Sequence, residues 1–250
     1  MSARWSEEES RLRTAICRVG KLSYDRNYIV GADGNISARM SDGTILLSPS
    51  GAFMVFLAPP LAAPVSTTGQ ALDDGPRPSS EVGIHLVSYQ ERPDVKAICH
   101  AHPPHAVAMT IAVSDLQTPI IPVIIVTIGG IPTAPFGTPG TDELPETLRE
   151  LVRCSDVMMM QNHGSVTLGT NLMDAYKKLD MLEHTAKILW LAHVARGGLD
   201  PLPKELVDKM LATRSQLGIT TRNTLENQCG IAPDRKSVVK GKTIKNRGRR

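Results

Sequence analysis

One short segment constrains this chain more than any other: residues 97–105, AICHAHPPH. It is an apolar run that carries two histidines and ends at two prolines, which predicts a short β-strand. Alternate side chains of a strand share one face, so His100 and His102 point the same way and could share one metal ion. A His-x-His pair also occurs at the ends of ordinary strands, so the pair alone does not establish a metal site.

Length and composition are those of a folded globular protein. The 250 residues are 41% hydrophobic and 21% charged, which is typical of a folded chain of one large domain or two small ones. No apolar run reaches the roughly 18 residues of a membrane-spanning helix, and residues 1–9 lack the layout of a signal peptide. Four scattered cysteines favour reduced thiols over a disulfide framework. We therefore expect a cytoplasmic protein with no membrane partner.

The net charge of +3 is unevenly distributed. Residues 234–250 contain eight Lys and Arg and one Asp, which leaves residues 1–233 with a net charge of −4. The basic segment has no helical or strand period, and we interpret it as read-through of vector or adaptor DNA that is not native to the protein. We expect no nucleic-acid partner, a folded domain over residues 1–217 and a tail over 218–250.

Helical and strand patterns alternate along the chain, which predicts a layered domain with helices covering a sheet, of α/β or α+β class. Ser6 followed by Glu9 is a capping box, so a first helix is expected to run to about Asn27. Asp42-Gly43 predicts a hairpin turn. Residues 31–39 are predicted to form a turn that runs into a strand. The other predicted strands are 45–47, 95–99, 123–128 and 157–160, and the later helices begin near residues 78, 105, 141, 172 and 204.

Two further residues extend the His-x-His pair toward a metal site. His163 follows another apolar strand, and neighbouring strands lie only about 4.8 Å apart. Catalytic zinc is commonly held by three protein ligands with one position open, and three imidazoles can supply them. Glu81, at the start of a predicted helix, could complete the ligand set or leave the metal and act as a base.

Three small-residue segments suggest what such a metal would act on. Residues 31–39 and 48–51 form turns rich in Gly, Asn and Ser, and residues 78–81 begin a helix with two serines. Glycine lets the backbone approach an anion closely, and a helix start favours negative charge. Ordinary tight turns and N-caps would leave the same pattern. With the metal site nearby, a bound phosphate would fix the reacting carbons against metal and base.

Five short motifs contain these candidate metal-binding and phosphate-binding residues. They are Gly34–Ser37, Ser48–Gly51, Ser79–Glu81, His100–Pro103 and Asn162–Gly164. In this order they resemble the class II aldolase/adducin family, over about residues 10–197. The family includes L-fuculose-phosphate aldolase, rhamnulose-1-phosphate aldolase and L-ribulose-5-phosphate 4-epimerase.

The resemblance implies a fold and a set of site residues. The fold would be a single αβα-layered α/β domain whose central, mainly antiparallel or mixed sheet is flanked by helices. The assembly would be a homotetramer with active sites at subunit interfaces. The metal ligands would be His100, His102 and His163 together with Glu81, which would also be the catalytic acid/base. The substrate phosphate would be bound by Asn35, Ser50, Gly51, Ser79 and Ser80.

Two features bear on the choice of reaction within the family. Glu81 matches the fuculose-type aldolases, whereas the epimerases carry Asp at this position. Fuculose-phosphate aldolase also uses one tyrosine after the His-x-His strand and another near its C-terminus. This chain has no tyrosine between residues 102 and 130 and none after Tyr176, so the proton donor to the aldehyde oxygen is unassigned.

These observations predict a metal-dependent aldolase. It would cleave a phosphorylated ketose to dihydroxyacetone phosphate and an aldehyde through a metal-stabilised enediolate, with Zn²⁺ or another divalent ion such as Mn²⁺ or Co²⁺. The alternatives that keep the same site are decarboxylation, dehydration or epimerisation of a sugar phosphate or sugar acid phosphate. A further alternative is an adducin-like interaction module without chemistry, which would be expected to lose its metal ligands.

Overall fold

The computed structural model describes residues 5–112, 116–222 and 225. In this part of the chain, seven strands form one sheet in the order β3-β2-β1-β4-β7-β6-β5. Every neighbouring pair is antiparallel except β5 and β6. The strands are β1 Asn35–Arg39, β2 Ile45–Leu47, β3 Ala63–Val65, β4 Ala97–Ala101, β5 Thr133–Ala134, β6 Val157–Met160 and β7 Ser165–Gly169.

Helices cover both faces of the sheet, which confirms the predicted α/β fold with a mixed, mainly antiparallel sheet. The α-helices are α1 Glu7–Asp25, α2 Val82–Glu91, α3 Pro104–Ala112, α4 Pro122–Thr127, α5 Glu143–Cys154, α6 Leu172–Arg196 and α7 Lys204–Gln216. Helices α1 and α6 pack on one face, and α2 and α5 pack on the other.

The central strand β4 shows how this packing places the first histidine. Ala97, Cys99 and Ala101 lie in the apolar cluster with α1 and α6, whereas Ile98 lies in the cluster with α2 and α5. Because side chains alternate along a strand, His100 lies on the α2 side of the sheet. Burial of the small and apolar residues of β4 therefore fixes the direction of the His100 imidazole.

The sequence prediction was wrong for residues 123–128. They were expected to form a strand covered on both faces, but Pro122–Thr127 form α4. Pro122 occupies the first turn, where proline is favoured. Burial is one-sided: Ile124 and Ile125 are buried, while Val123 is 57% exposed. A short apolar run fits a buried strand and a short packed helix equally well.

Other local predictions are confirmed. The backbone N–H of Glu9 donates to Ser6 Oγ at 3.1 Å, so Ser6 is the N-cap of α1, while the Glu9 carboxylate contacts Arg13 and not the N-cap backbone. Between β2 and α2 the chain forms two 3-10 turns, Met54–Phe56 and Pro59–Leu61, and one short strand, β3. Helix α7 ends one residue before the predicted domain boundary at 217, which stays a prediction.

The cysteine expectation is corrected in part. Cys17 and Cys99 carry free thiols, but Cys154 is disulfide-bonded, which the scattered spacing of the cysteines did not indicate. Cys229 and the basic segment 234–250 lie outside the described residues. None of the described helices combines the length and the apolar character needed to cross a membrane.

A buried ion network lies at the start of β6. It joins Asp156, just before β6, to the end of α2 and to α6. Asp156 Oδ1 lies 2.8 Å from Arg92 Nη2, and Asp156 Oδ2 lies 3.0 Å from Lys178 Nζ. The three side chains are 8%, 3% and 9% exposed. Arg92 also pairs with Asp94 at 2.8 Å, and Lys178 also pairs with Asp174 at 3.1 Å. Loss of Asp156 would therefore leave each cation with one more exposed carboxylate, and the cost would be below the roughly 3–5 kcal/mol of a fully unpaired buried charge.

We therefore expect Asp156→Ala to lower the free energy of unfolding by about 2 kcal/mol, because Arg92 and Lys178 lose their shared buried carboxylate but keep Asp94 and Asp174. Urea denaturation monitored by circular dichroism measures this. Asp208→Ala is the matched control, since the Asp208–Lys204 pair is largely exposed and should contribute less than about 1 kcal/mol. Equal losses in the two variants would contradict the prediction.

Candidate functional site

The strand register brings the sequence motifs together. In the β1–β4 pair Asn35 lies opposite His100, and in the β4–β7 pair Val166 lies opposite His100. His163 lies in the turn between β6 and β7. His102 lies just after β4, and its backbone N–H donates to Tyr28 O at 2.8 Å. The end of β4 thus brings His100 and His102, and the β6–β7 turn brings His163, to one point.

The three imidazoles form a compact cluster. Potential ligand atoms of His100, His102 and His163 all lie within 4.8 Å of one another. The ring centroids are 4.8 Å apart for His100–His102, 5.1 Å for His100–His163 and 5.2 Å for His102–His163. His100 is fully buried, and the other two are partly exposed. Such spacing allows one ion to reach a nitrogen from each ring.

The protonation pattern of these rings fits a bound cation. His100 Nδ1 lies 2.9 Å from Ser165 O, and a carbonyl accepts only, so Nδ1 carries the hydrogen and Nε2 has the lone pair. The buried nitrogens His100 Nε2, His102 Nδ1 and His163 Nδ1 have no hydrogen-bond partner. Burial lowers the pKa of His102 to about 3, helped by the charges of His100 and His163. His102 therefore stays in the neutral form that binds metal.

Glu81 closes the cluster from the start of α2. It occupies the N-cap position, but its carboxylate makes no cap hydrogen bond. Instead Oε2 lies 3.2 Å from His100 Nε2, and Oε1 lies 3.2 Å from His163 Nε2. Since His100 Nε2 presents a lone pair to a carboxylate oxygen, a positive charge is needed between them, either a proton or a metal ion.

The Glu81 carboxylate is held in its ionised form. Burial raises its pKa, but the contacts with His100 and His163 outweigh burial and hold the pKa well below its usual range. Asn35 Nδ2 also donates to Glu81 Oε2 at 2.8 Å. The site therefore combines three imidazoles with one ionised carboxylate.

Glycine permits the close approach of the histidine-bearing segments. A Cβ added at Gly164 would lie 2.6 Å from Ala101 O and 2.6 Å from His102 Cδ2. A Cβ at Gly34 would lie 2.8 Å from His100 O, and Gly34 has φ +71°. A larger residue at either position would push β4 or its histidines aside.

A cavity of about 490 Å³ opens beside the histidines and Glu81. Its wall includes His102, His163, Glu81 and all the residues predicted to bind phosphate: Asn35, Ser50, Gly51, Ser79 and Ser80. None of the described lining residues is Lys or Arg. An anion in this cavity would be bound by hydroxyl and amide hydrogens, with the positive charge supplied from the histidine side.

Hydrogen bonds orient two of the predicted phosphate residues. Ser79 Oγ accepts from Asn35 Nδ2 at 3.1 Å and from the Glu81 backbone N–H at 3.3 Å. With both lone pairs engaged, the Ser79 hydroxyl hydrogen is directed to another acceptor. The Asn35 amide hydrogens go to Ser79 and Glu81, so a phosphate bound to Asn35 would displace one of them.

The structure adds residues that the sequence analysis did not assign to the site. Asp33, Pro139 and Gly140 line the cavity. Asp33 could have been predicted from the neighbouring Gly-Asn motif, whereas no sequence pattern indicated that the 136–140 loop reaches the site. His105, the third histidine of the 97–105 segment, lies at the start of α3. Its Nδ1 lies 2.7 Å from Glu183 Oε1, and the Glu183 carboxylate also accepts from the backbone of Ala106. His105 is thus tied to α6, away from the cluster.

Residues 14–190 match the family model described as Class II Aldolase and Adducin N-terminal domain. The chain is 32% identical over 187 residues to the 3-oxo-tetronate 4-phosphate decarboxylase of Pectobacterium atrosepticum, covering 73% of this chain and 85% of that protein. It is 34% identical over 178 residues to the L-fuculose phosphate aldolase of Methanocaldococcus jannaschii, covering 70% and 92%.

A solved structure shares the fold. L-fuculose-1-phosphate aldolase of Thermus thermophilus superposes with a TM-score of 0.68 at 27% sequence identity, covering 77% of this chain and 99% of that chain. The structure and the second relative are named as L-fuculose phosphate aldolases, whereas the first relative is named as a decarboxylase. The comparisons therefore indicate one family but not one reaction.

Gly164→Ala should weaken zinc binding by about tenfold or more, because the new methyl group would displace His102 from its ligand position. Isothermal titration of the metal-free protein with Zn²⁺ measures the change. Gly198→Ala is the control, since nothing lies within 4 Å of a Cβ there. Unchanged zinc affinity in Gly164→Ala would show that the close contact is unimportant for the ligand geometry.

Proposed function

Because the chain belongs to the class II aldolase and adducin family, we propose that it is a divalent-metal-dependent lyase acting on a phosphorylated sugar or sugar acid. One observation carries the proposal: three imidazoles and an ionised carboxylate lie beside a cavity whose wall also carries serine hydroxyls, the Asn35 amide and the Asp33 carboxylate. One small substrate could therefore contact the metal, the Glu81 carboxylate and the phosphate-binding residues at the same time.

The histidine cluster would hold the metal. His100, His102 and His163 offer three nitrogens, the ligand number typical of catalytic zinc, with Zn–N distances of about 2.0–2.1 Å. Mn²⁺ or Co²⁺ could use the same nitrogens, and Glu81 could be a fourth ligand. When bound, the ion supplies positive charge beside the ketone and hydroxyl oxygens of the substrate.

Glu81 would be the proton carrier. It lies between the histidines and the cavity, and it is ionised when no substrate is present. In both C–C cleavage reactions considered below, the bond electrons remain on the carbon next to the ketone. That carbon then takes a proton, which comes from the hydroxyl of the departing carbon in aldol cleavage and from water in decarboxylation, and Glu81 is positioned to carry it.

Neutral donors would bind the phosphate. Ser50, Gly51, Ser79 and Ser80 line the cavity, and Asn35 joins Ser79 to Glu81. A phosphate held there would fix the distance between the reacting carbons and Glu81. Binding energy from this remote group would then be used to orient the reacting centre.

Among the possible reactions, we place decarboxylation of a 3-oxo sugar acid phosphate first. Retro-aldol cleavage needs a second group to take the proton of the hydroxyl whose carbon departs, and the described cavity lining contains no tyrosine for this role. A departing carboxylate leaves as CO₂ and carries no such proton. The relative from Pectobacterium atrosepticum is named for this reaction.

Aldol cleavage of a ketose phosphate is the second candidate. Glu81 matches the fuculose-type aldolases, and the relative from Methanocaldococcus jannaschii is named as an aldolase. Both reactions leave the same three-carbon enediolate, which becomes dihydroxyacetone phosphate after protonation. Dehydration and epimerisation would use the same metal and carboxylate without releasing that product.

We further propose that the chain assembles as a homotetramer. Helix α6 leaves Ile188, Leu191 and Val194 39%, 56% and 65% exposed at spacings of three residues. A row of exposed apolar side chains on one helix face is typical of a surface that another subunit covers. The cytoplasmic location stays a prediction.

Glu81→Gln should abolish cleavage while metal binding is retained, with kcat lowered by about 10²-fold or more because the amide cannot carry a proton. The assay follows CO₂, aldehyde and dihydroxyacetone phosphate release from 3-oxo-tetronate 4-phosphate and L-fuculose 1-phosphate. Elemental analysis reports metal content. CO₂ with dihydroxyacetone phosphate identifies the decarboxylase, and aldehyde with dihydroxyacetone phosphate identifies the aldolase.

Glu91→Gln is the matched control, since Glu91 pairs with Arg149 and Arg153 away from the cavity and should leave kcat unchanged. Full turnover by Glu81→Gln would remove Glu81 from the chemistry. Wild-type protein that binds metal but releases neither product from any phosphorylated sugar would contradict the proposed function.

Zinc should raise the melting temperature of the wild-type protein, because a ligand that binds only the folded state stabilises it by about 2.7 kcal/mol at one hundred times its Kd. Differential scanning fluorimetry of chelator-treated protein with and without Zn²⁺ measures the shift. His100→Ala should lose the shift, while His193→Ala, on the exposed end of α6, should keep it. An equal shift in both variants would place zinc elsewhere.

A further inference from the structure

A chain of hydrogen bonds leads from the protein interior to Glu81. The Tyr89 hydroxyl lies 2.8 Å from Ser37 Oγ, and Ser37 Oγ lies 2.7 Å from His85 Nδ1. His85 Nε2 contacts Asn35 Oδ1, and Asn35 Nδ2 lies 2.8 Å from Glu81 Oε2. The first four side chains belong to residues that are at most 4% exposed.

The secondary structure explains this alignment. Asn35 and Ser37 are alternate residues of β1, so their side chains share the face covered by α2. His85 and Tyr89 are four residues apart on α2 and share one side of the helix. The packing of α2 on β1 therefore aligns two polar pairs inside an otherwise apolar layer.

The charge on Glu81 sets the direction of every bond in the chain. A carboxylate accepts only, so Asn35 must present its amide nitrogen to Glu81 and its oxygen to His85. His85 must then carry its hydrogen on Nε2, which leaves Nδ1 as an acceptor. Ser37 consequently donates to Nδ1, and Tyr89 donates to Ser37.

His85 remains neutral in this setting. Burial is the main cause that lowers its pKa to about 3, and the negative charge of Glu81 only partly opposes it. A neutral imidazole has one donor and one acceptor nitrogen, and both are used here, by Asn35 and Ser37. The ring can satisfy this network in one tautomer only.

We propose that His85 is a positioning residue: by holding the Asn35 side-chain oxygen, it directs the Asn35 amide hydrogens to Glu81 and Ser79. This inference rests on the proposed function. Asn35 then links the base to the phosphate-binding turn. Without the His85 donor, the Asn35 amide could rotate and bring its oxygen against the Glu81 carboxylate, where two acceptors repel.

Two variants test the hydrogen bonds of the two His85 ring nitrogens separately. His85→Gln places an amide nitrogen near the Nε2 position and keeps a donor to Asn35. His85→Asn places an acceptor near the Nδ1 position, keeps the contact with Ser37 and loses the donor to Asn35. We expect His85→Asn to lower kcat by about 10- to 100-fold, with KM and zinc content near wild type, and His85→Gln to restore most of kcat.

A control on the same helix measures the effect of simple destabilisation. Ser88 is also fully buried on α2, and its hydroxyl donates to Ile84 O at 2.8 Å, away from the site. Ser88→Ala should lower the melting temperature without lowering kcat. If His85→Asn and His85→Gln lose kcat equally, or if His85→Asn keeps wild-type kcat, the positioning role is wrong.

A second readout does not depend on activity. Nitrogen NMR of the full-length chain labelled in histidine reports each tautomer, and the His85 signal is identified by its absence in His85→Gln. We expect His85 to carry hydrogen on Nε2 alone at neutral pH. Hydrogen on Nδ1, or on both nitrogens, would overturn the inference. Wild-type protein that shows the Nε2 tautomer but cleaves no substrate would contradict the proposed function and leave the hydrogen-bond chain supported.

Discussion

The contact between the Glu81 carboxylate and two imidazoles is the interaction on which the site depends. A buried carboxylate is costly unless opposite charge or hydrogen-bond donors surround it. His100, His163 and Asn35 meet that requirement, and each comes from a different strand or turn. The sheet order and the start of α2 are therefore coupled through one charged group, so the geometry of the site depends on correct packing of α2 on the sheet.

The sequence predicted the fold class and most helices, because periodicity and capping are local properties. It also identified the residues that the structure brings together around the cavity. It failed at α4, where an apolar run of six residues carries no period that separates helix from strand. Pro122 was the local sign of a helix start, and the one-sided burial that decides the matter depends on α3 and α6, which the sequence pattern does not reveal.

The buried hydrogen-bond chain from Tyr89 to Asn35 could not be predicted from local sequence patterns, for a different reason. His85, Ser37 and Tyr89 are ordinary residues in the middle of a helix or strand, and each has an acceptable role as a core polar side chain. Their importance arises from the register of β1 against α2, which only the three-dimensional structure supplies. Similarly, Pro139 and Gly140 reach the cavity from a loop about sixty residues after the phosphate-binding motif at Ser79.

The division of the site between rigid and irregular elements has a consequence for how such enzymes diverge. The three clustered histidines are positioned by β4 and by the short turn before β7, whereas Ser50, Gly51, Pro139 and Gly140 lie in connections between elements. Loops tolerate substitution and changes of length better than strands do. Changes in these connections can therefore reshape the cavity for a new substrate while the geometry of the histidines and Glu81 is kept.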